Sequence, residues 1–147
     1  MTKAQTLESV QKAREAHLSQ MDKIKTVLEG GKVENPTAVS KKECDFGQWI
    51  YDDSNHVREL IGIQFYEKLD AKHEQWHMEY LKIYNIFFKE KKKGLFSKLL
   101  GGSGIDPLEL DKAKLYYTEL KTTTQELLKV LASVERRLEA LNEAKFK

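Results

Sequence analysis

The chain has 147 residues, a formal net charge of +2, 33% charged and 40% hydrophobic residues, one cysteine and four histidines. This length fits a single domain spanning 1–147 with a real core. The near-neutral charge gives no reason to expect nucleic acid as a partner, and no apolar run is long enough to span a bilayer. One cysteine cannot form an intrachain disulfide, and Met1–Gln5 lacks the apolar stretch of an export signal, so a reducing cytoplasm is the expected location.

Residues 2–30 read as a long helix. Leu7, Val10, Arg14, His17, Met21, Ile24 and Leu28 follow the three-four spacing of a bundle seam. His17 sits where an apolar side chain is expected, and Arg14 can lay its stem along the seam with its head in water. Gly30-Gly31 ends this helix. Asn35-Pro36 supplies an N-cap and a first-turn proline for a second helix running to about Tyr51 and carrying Cys44. Gly47 follows one turn after Cys44. A glycine inside a helix costs about 1 kcal/mol relative to alanine, a cost that close approach by another helix or a metal would offset. Asp52–Asn55 reads as a loop.

A third helix is predicted from Val57 to Lys91, bending around Gly62, with Tyr66, Leu69, His73, His77, Tyr80, Tyr84 and Phe87 on its inner face. Residues 91–105 are a linker by composition. They contain Lys91, Lys92, Lys93 and Lys98 among Leu95, Phe96, Leu99 and Leu100, too little apolar surface for a stable membrane anchor. The expected role is a loop packed over the bundle end. Asp106-Pro107-Leu108-Glu109 then gives a cap, a first-turn proline and a capping-box glutamate. The final helix, 106–145, keeps a seam from Leu110 through Leu120, Leu127, Leu131, Val134 and Leu138 to Leu141. At the helical rise its residues 107–144 span about 57 Å against about 43 Å for the first helix. Its surplus turns therefore carry an apolar seam that a partner is expected to cover. The fold class is all-α, a four-helix bundle.

Four residues carry candidate chemistry. His73 and His77 lie one turn apart on one helix face, and His17 and Cys44 lie on the two preceding helices, all able to turn inward. A lone histidine on a seam is commonly a core residue bonded to a carbonyl, and a lone cysteine a small hydrophobe. Together, one Cys and three His match a complete tetrahedral zinc shell between the first three helices. His56, in the Ser54-Asn55-His56 loop, reads as solvated.

Cys44-x-Phe46-Gly47-x-Trp49, with His17 upstream and His73-x3-His77 downstream, resembles the chemoreceptor zinc-binding domain over roughly residues 7–90. That is a four-helix bacterial module attached to soluble chemoreceptors and diguanylate cyclases and also found alone. The resemblance implies that His17, Cys44, His73 and His77 are ligands of Zn2+. It implies sensing of zinc or of oxidants such as hypochlorous acid, and assembly as a homodimer. No receptor or cyclase domain is attached, so output is expected in trans, to chemotaxis or cyclic-dinucleotide machinery. The implied role is regulatory, not enzymatic.

Two other readings are open. His73-Glu74-Gln75-Trp76-His77 also spells the zinc metallohydrolase helix, with Glu74 as general base. It requires an open water position that a closed Cys/His3 shell would not leave. A helical interaction module without metal is the other. An iron-carboxylate bundle is disfavoured, because only Glu74-x-x-His77 has the spacing. Asp45, Asp70 and Glu74 lie near the candidate ligands in sequence, and any of them could orient an imidazole.

Overall fold

The structure, a computed structural model, describes residues 1–88 and 106–146. Its helices are α1 (Lys3–Leu28), α2 (Asp45–Ile50), α3 (Val57–Ile61), α4 (Ile63–Phe87) and α5 (Pro107–Ala140), with 3-10 turns at Asp53–Asn55 and Glu143–Phe146. Among the described residues there is no strand, and no helix is long and apolar enough to cross a membrane. The chain is the expected all-α bundle. The 91–105 linker lies outside the described residues.

The seams explain the long helices. α1 opens on a reciprocal cap, Thr2 Oγ1 accepting from Gln5 N at 3.1 Å and Gln5 Oε1 accepting from Thr2 N at 2.8 Å. It buries Val10, Ala13, His17, Met21 and Ile24. α5 opens on Asp106, whose carboxylate accepts from Leu108 N at 3.0 Å, with Pro107 in the first turn. α4 packs most extensively on α5, and α1 packs along α5 as well. Between α4 and α5, Trp76 Nε1 donates to Thr124 Oγ1 at 2.8 Å, so the polar interruption in the α5 seam is satisfied by the largest buried side chain.

Three expectations change. The second helix does not start at Pro36. Residues 31–44 are irregular, helix begins only at Asp45, and Cys44 is its N-cap. Before its closing turn at Ser40, where Glu43 N and Cys44 N both donate to Ser40 O, this segment gives backbone groups to side chains of the long helices. Thr37 N donates to Gln20 Oε1 at 2.9 Å, and Thr37 O accepts from Tyr80 at 2.8 Å. Gly47 accordingly answers neither another helix nor a metal. A Cβ built there would stand 1.6 Å from the Lys41 carbonyl oxygen, so the glycine admits the irregular segment itself.

The third helix is interrupted rather than bent. Gly62 has φ +86°, a conformation side-chain-bearing residues rarely adopt, and separates α3 from α4. Finally, the distal seam of α5 is covered within the chain. Val134 and Leu138 are fully buried, α1 and α3 both pack on α5, and Lys3 Nζ reaches the carbonyls of Glu139 and Leu141 at 2.7 and 2.8 Å. The uncovered seam that suggested a partner is therefore not there.

Candidate metal centre

The three-four spacing that buries one face of α1 and one face of α4 also carries the histidines inward. His17, Cys44, His73 and His77 are all buried, each no more than 6% exposed. Candidate ligand atoms of His17, His73 and His77 all lie within 4.8 Å of one another. Cys44 lies outside that mutual spacing and meets the group at one member, its Sγ 3.4 Å from His73 Nε2. Two ligands at tetrahedral zinc, at the usual zinc–sulfur and zinc–nitrogen lengths, stand about 3.5 Å apart, so this spacing suits a shared ion.

Each imidazole has its Nδ1 engaged elsewhere. His17 Nδ1 faces Ala13 O at 2.7 Å, one turn back on its own helix, and His77 Nδ1 faces Val39 O at 2.8 Å on the irregular segment. Carbonyls only accept, so both rings hold their proton on Nδ1 and leave Nε2 with a lone pair. Among the described residues the buried His77 Nε2 has no hydrogen-bond partner. A buried lone pair left this way calls for a proton donor or a metal.

His73 is held differently. Its Nδ1 lies 3.2 Å from the Tyr51 hydroxyl, which also hydrogen-bonds Asp70 Oδ1. Lys41 Nζ meets the same Oδ1 at 2.9 Å. Rings of Phe46 and His77 each stand edge-on to His73 with centroids 4.6 Å away, and Trp76 stands 4.7 Å from His17.

The electrostatics favour neutral ligands. Burial pushes His17 and His77 down to about 4, against opposing bonds to Ala13 and Val39. Burial likewise drives His73 far down, with help from the neighbouring imidazoles and Lys41. All three are neutral at pH 7, the form that binds a metal. Burial also raises the Cys44 thiol, opposed by backbone N–H groups of Gly47 and Phe46. Gly47 N lies 3.3 Å from Sγ, so the sulfur is itself the side-chain cap of α2. For Asp70, burial pushes up but hydrogen bonds from Tyr51 and Lys41 outweigh it, and the carboxyl is held below its usual range. Burial, then Asp70, pushes the Tyr51 phenol up, keeping its proton in place.

Glu74 stands apart. It is on the exposed side of α4, its carboxylate 3.8 Å from Lys41 Nζ. A general base must reach the water it activates, and among the described residues the one polar partner of Glu74 given by this geometry is Lys41. His56 is exposed beside Glu59 at 3.5 Å, away from the cluster. Tyr51 and the carbonyls of Ala13 and Val39 are contributors that sequence spacing did not reveal. The only sequence signal for Tyr51 was its place two residues after Trp49.

A cavity of about 210 Å³, lined by His17, Thr37, Ala38, Glu43, Cys44 and Phe46 among others, adjoins the cluster on the side of the irregular segment. The donor set (three neutral imidazoles and one thiol) fits a zinc-type ion in number and kind.

No curated protein and no solved structure matches the chain. One family model does, the chemoreceptor zinc-binding domain, over residues 17–84. The matched stretch runs from His17 past His77 and takes in the irregular segment, α2, α3 and most of α4. It includes His17, Cys44, His73 and His77, and residues 17–84 of this chain belong to the chemoreceptor zinc-binding domain family.

Proposed function

We propose that this protein is a cytoplasmic regulatory domain whose His17, Cys44, His73 and His77 hold Zn2+ in a closed Cys/His3 shell. Its state is passed in trans to chemotaxis or cyclic-dinucleotide machinery. The observation that carries this reading is the buried convergence of three imidazoles whose Nδ1 atoms are tied outward, with a thiol 3.4 Å from one Nε2. Family membership supports zinc as the ion and sensing as the role.

Bound zinc would supply a cross-link between α1, the start of α2 and α4, and would keep the Cys44 sulfur as thiolate. The chain's residues do the rest. His17 and the His73/His77 pair come from two long helices, so they arrive in place without large ordering cost. Cys44 comes from the irregular segment. Loss of zinc would remove that segment's strongest link to α4.

A second reading is favoured by the cavity beside Cys44, which gives a small oxidant a way to the sulfur. Thiolate and hypochlorous acid yield sulfenic acid and chloride, and the sulfenic acid is a poorer ligand. With one cysteine in the chain, no internal resolving thiol follows. The homodimer and a chemoreceptor or diguanylate cyclase partner rest on the family alone, now that the α5 seam is accounted for.

Elemental analysis of the purified protein, before and after mild hypochlorous acid, tests both readings. About one zinc per chain, partly released by oxidant and retained by none of the Cys44→Ala protein, is the expected result. Protein that takes up no zinc overturns the first reading. Unchanged zinc in oxidised and Cys44→Ala protein overturns the second.

A further inference from the structure

Of the three imidazoles, two lean on main-chain carbonyls, which no substitution removes and which only accept hydrogen bonds. His73 leans on a phenol, which can donate or accept. The state of that phenol therefore decides where the His73 proton sits. If Tyr51 donates to Nδ1, the ring must carry its own proton on Nε2, on the side of Cys44. If Tyr51 donates elsewhere, its oxygen accepts from Nδ1–H and Nε2 is left bare.

Asp70 makes that choice. Its Oδ1 takes the Tyr51 hydroxyl, and an ionised carboxylate can only accept. Lys41 Nζ, 2.9 Å from the same oxygen, keeps the carboxylate charged and also stands over the Tyr51 ring at 5.3 Å. Polarity thus runs one way, from His73 Nδ1–H to Tyr51 O, and from Tyr51 O–H to Asp70. The relay thus starts at a fully buried imidazole and ends at a side chain about one-third exposed.

We propose that Tyr51 and Asp70 are positioning residues for His73, a hydrogen-bond relay that holds its proton on Nδ1 and its Nε2 open toward Cys44. Asp70 acts through Tyr51 and not by touching the ring. This rests on the reading of the cluster as a metal centre, and it singles out one of three acidic residues near the ligands in sequence. Outer hydrogen-bond partners of metal-binding histidines typically change affinity by 10–100-fold.

The test has two readouts. In metal-free protein at neutral pH, long-range proton–nitrogen correlation spectra report the tautomer of each histidine. The His73 ring is expected as the Nδ1–H form in the unaltered protein. In Asp70→Ala, Tyr51 is free to donate to it, and a population with the proton on Nε2 is expected. His17 and His77 should keep their tautomers in both. Zinc affinity, from competition with a chromophoric chelator, should fall about 10–100-fold in Asp70→Ala and in Tyr51→Phe. The Asp70→Ala effect should vanish in the Tyr51→Phe background, because nothing is left for Asp70 to orient.

Tyr80→Phe is the matched control. It also removes one phenol hydrogen bond, to Thr37 O, but none to an imidazole. It should leave the His73 tautomer alone. An Asp70→Ala loss that persists in full in the Tyr51→Phe background would assign Asp70's effect to its ion pair with Lys41 and overturn the relay. So would a His73 tautomer that never moves. Failure of the metal reading looks different: the unaltered protein takes up no zinc while the His73 tautomer still responds to Asp70.

Discussion

The cluster has two sides built in opposite ways. On one, α1 and α4 deliver three imidazoles from long helices whose packing is locked by side chains such as Trp76, Leu69 and Ile83, all fully buried. On the other, Cys44 is delivered by irregular residues 31–44, held by scattered polar contacts such as Thr37 to Gln20, Tyr80 to Thr37 and Lys41 to Asp70. The helix side is stabilised by buried apolar area and would persist without the ion. The irregular side has few buried apolar groups of its own, the kind of segment that opens locally at low free-energy cost. Position is therefore fixed by the imidazoles, and the thiol sits on the side that opens more easily.

The largest expected effect comes from the helix side of the shell. His73→Gln removes the imidazole at the centre of the cluster, and we expect loss of stoichiometric zinc, well beyond the 10–100-fold typical of an outer partner. Elemental analysis after dialysis checks it, and full zinc retention would contradict the assignment of His73. Next is Trp76→Ala, which empties core space between α4 and α5 and strips Thr124 of its donor. A loss of about 3–5 kcal/mol in chemical denaturation is expected. If the denaturation midpoint hardly moves, the helix side is not the rigid one.

Acid should act on the same side. In metal-free protein the histidines ionise far more readily unfolded than folded, since burial holds His17 and His77 down to about 4. Between about pH 6.5 and pH 4 the unfolded chain binds the extra protons, so stability rises with pH and falls on acidification. Each excluded proton contributes about 1.4 kcal/mol per pH unit. Denaturation midpoints in chelator at pH 7 and pH 5 measure this, and equal midpoints would count against buried neutral imidazoles.

Gly47→Ala sharpens the contrast from the other side. The new methyl cannot coexist with the Lys41 carbonyl at 1.6 Å, so residues around Lys41 must shift and carry Cys44 with them. Zinc affinity should drop while the circular dichroism of the long helices is nearly kept. Collapse of helicity together with zinc binding would mean that the two sides are not separable. The smallest effect is reserved for the surface. Lys72→Gln cuts an ion pair with Glu126 at the partly exposed rim of α4 and α5 and should change stability by less than about 1 kcal/mol.

How much of this is visible in the sequence depends on the physics of each part. The seams of α1, α4 and α5 are legible because burial repeats with the helical period, and His17, His73 and His77 fall on them. Asn35-Pro36 misleads because a cap and a proline describe only how a helix could start. Whether it does depends on neighbours, and here Tyr80 and His77 take the Thr37 and Val39 carbonyls that helix would have used, while Gln20 takes the Thr37 N–H that the Asn35 cap would have satisfied. The length of α5 misleads for a related reason. What covers Val134 and Leu138 comes from α1 and α3, which no comparison of helix lengths reveals. Tyr51 and Asp70 are hidden because their meeting with His73 is a property of three elements in space.

The sulfur of Cys44 also terminates a peptide donor, since Gly47 N–H points at it. A reagent that takes that lone pair therefore edits the polypeptide as well as the shell. The six residues of α2 lose the side-chain acceptor that sets where their first turn begins. An event confined to one atom would then be expressed as a change in the path of the main chain, at a place where another molecule could read it.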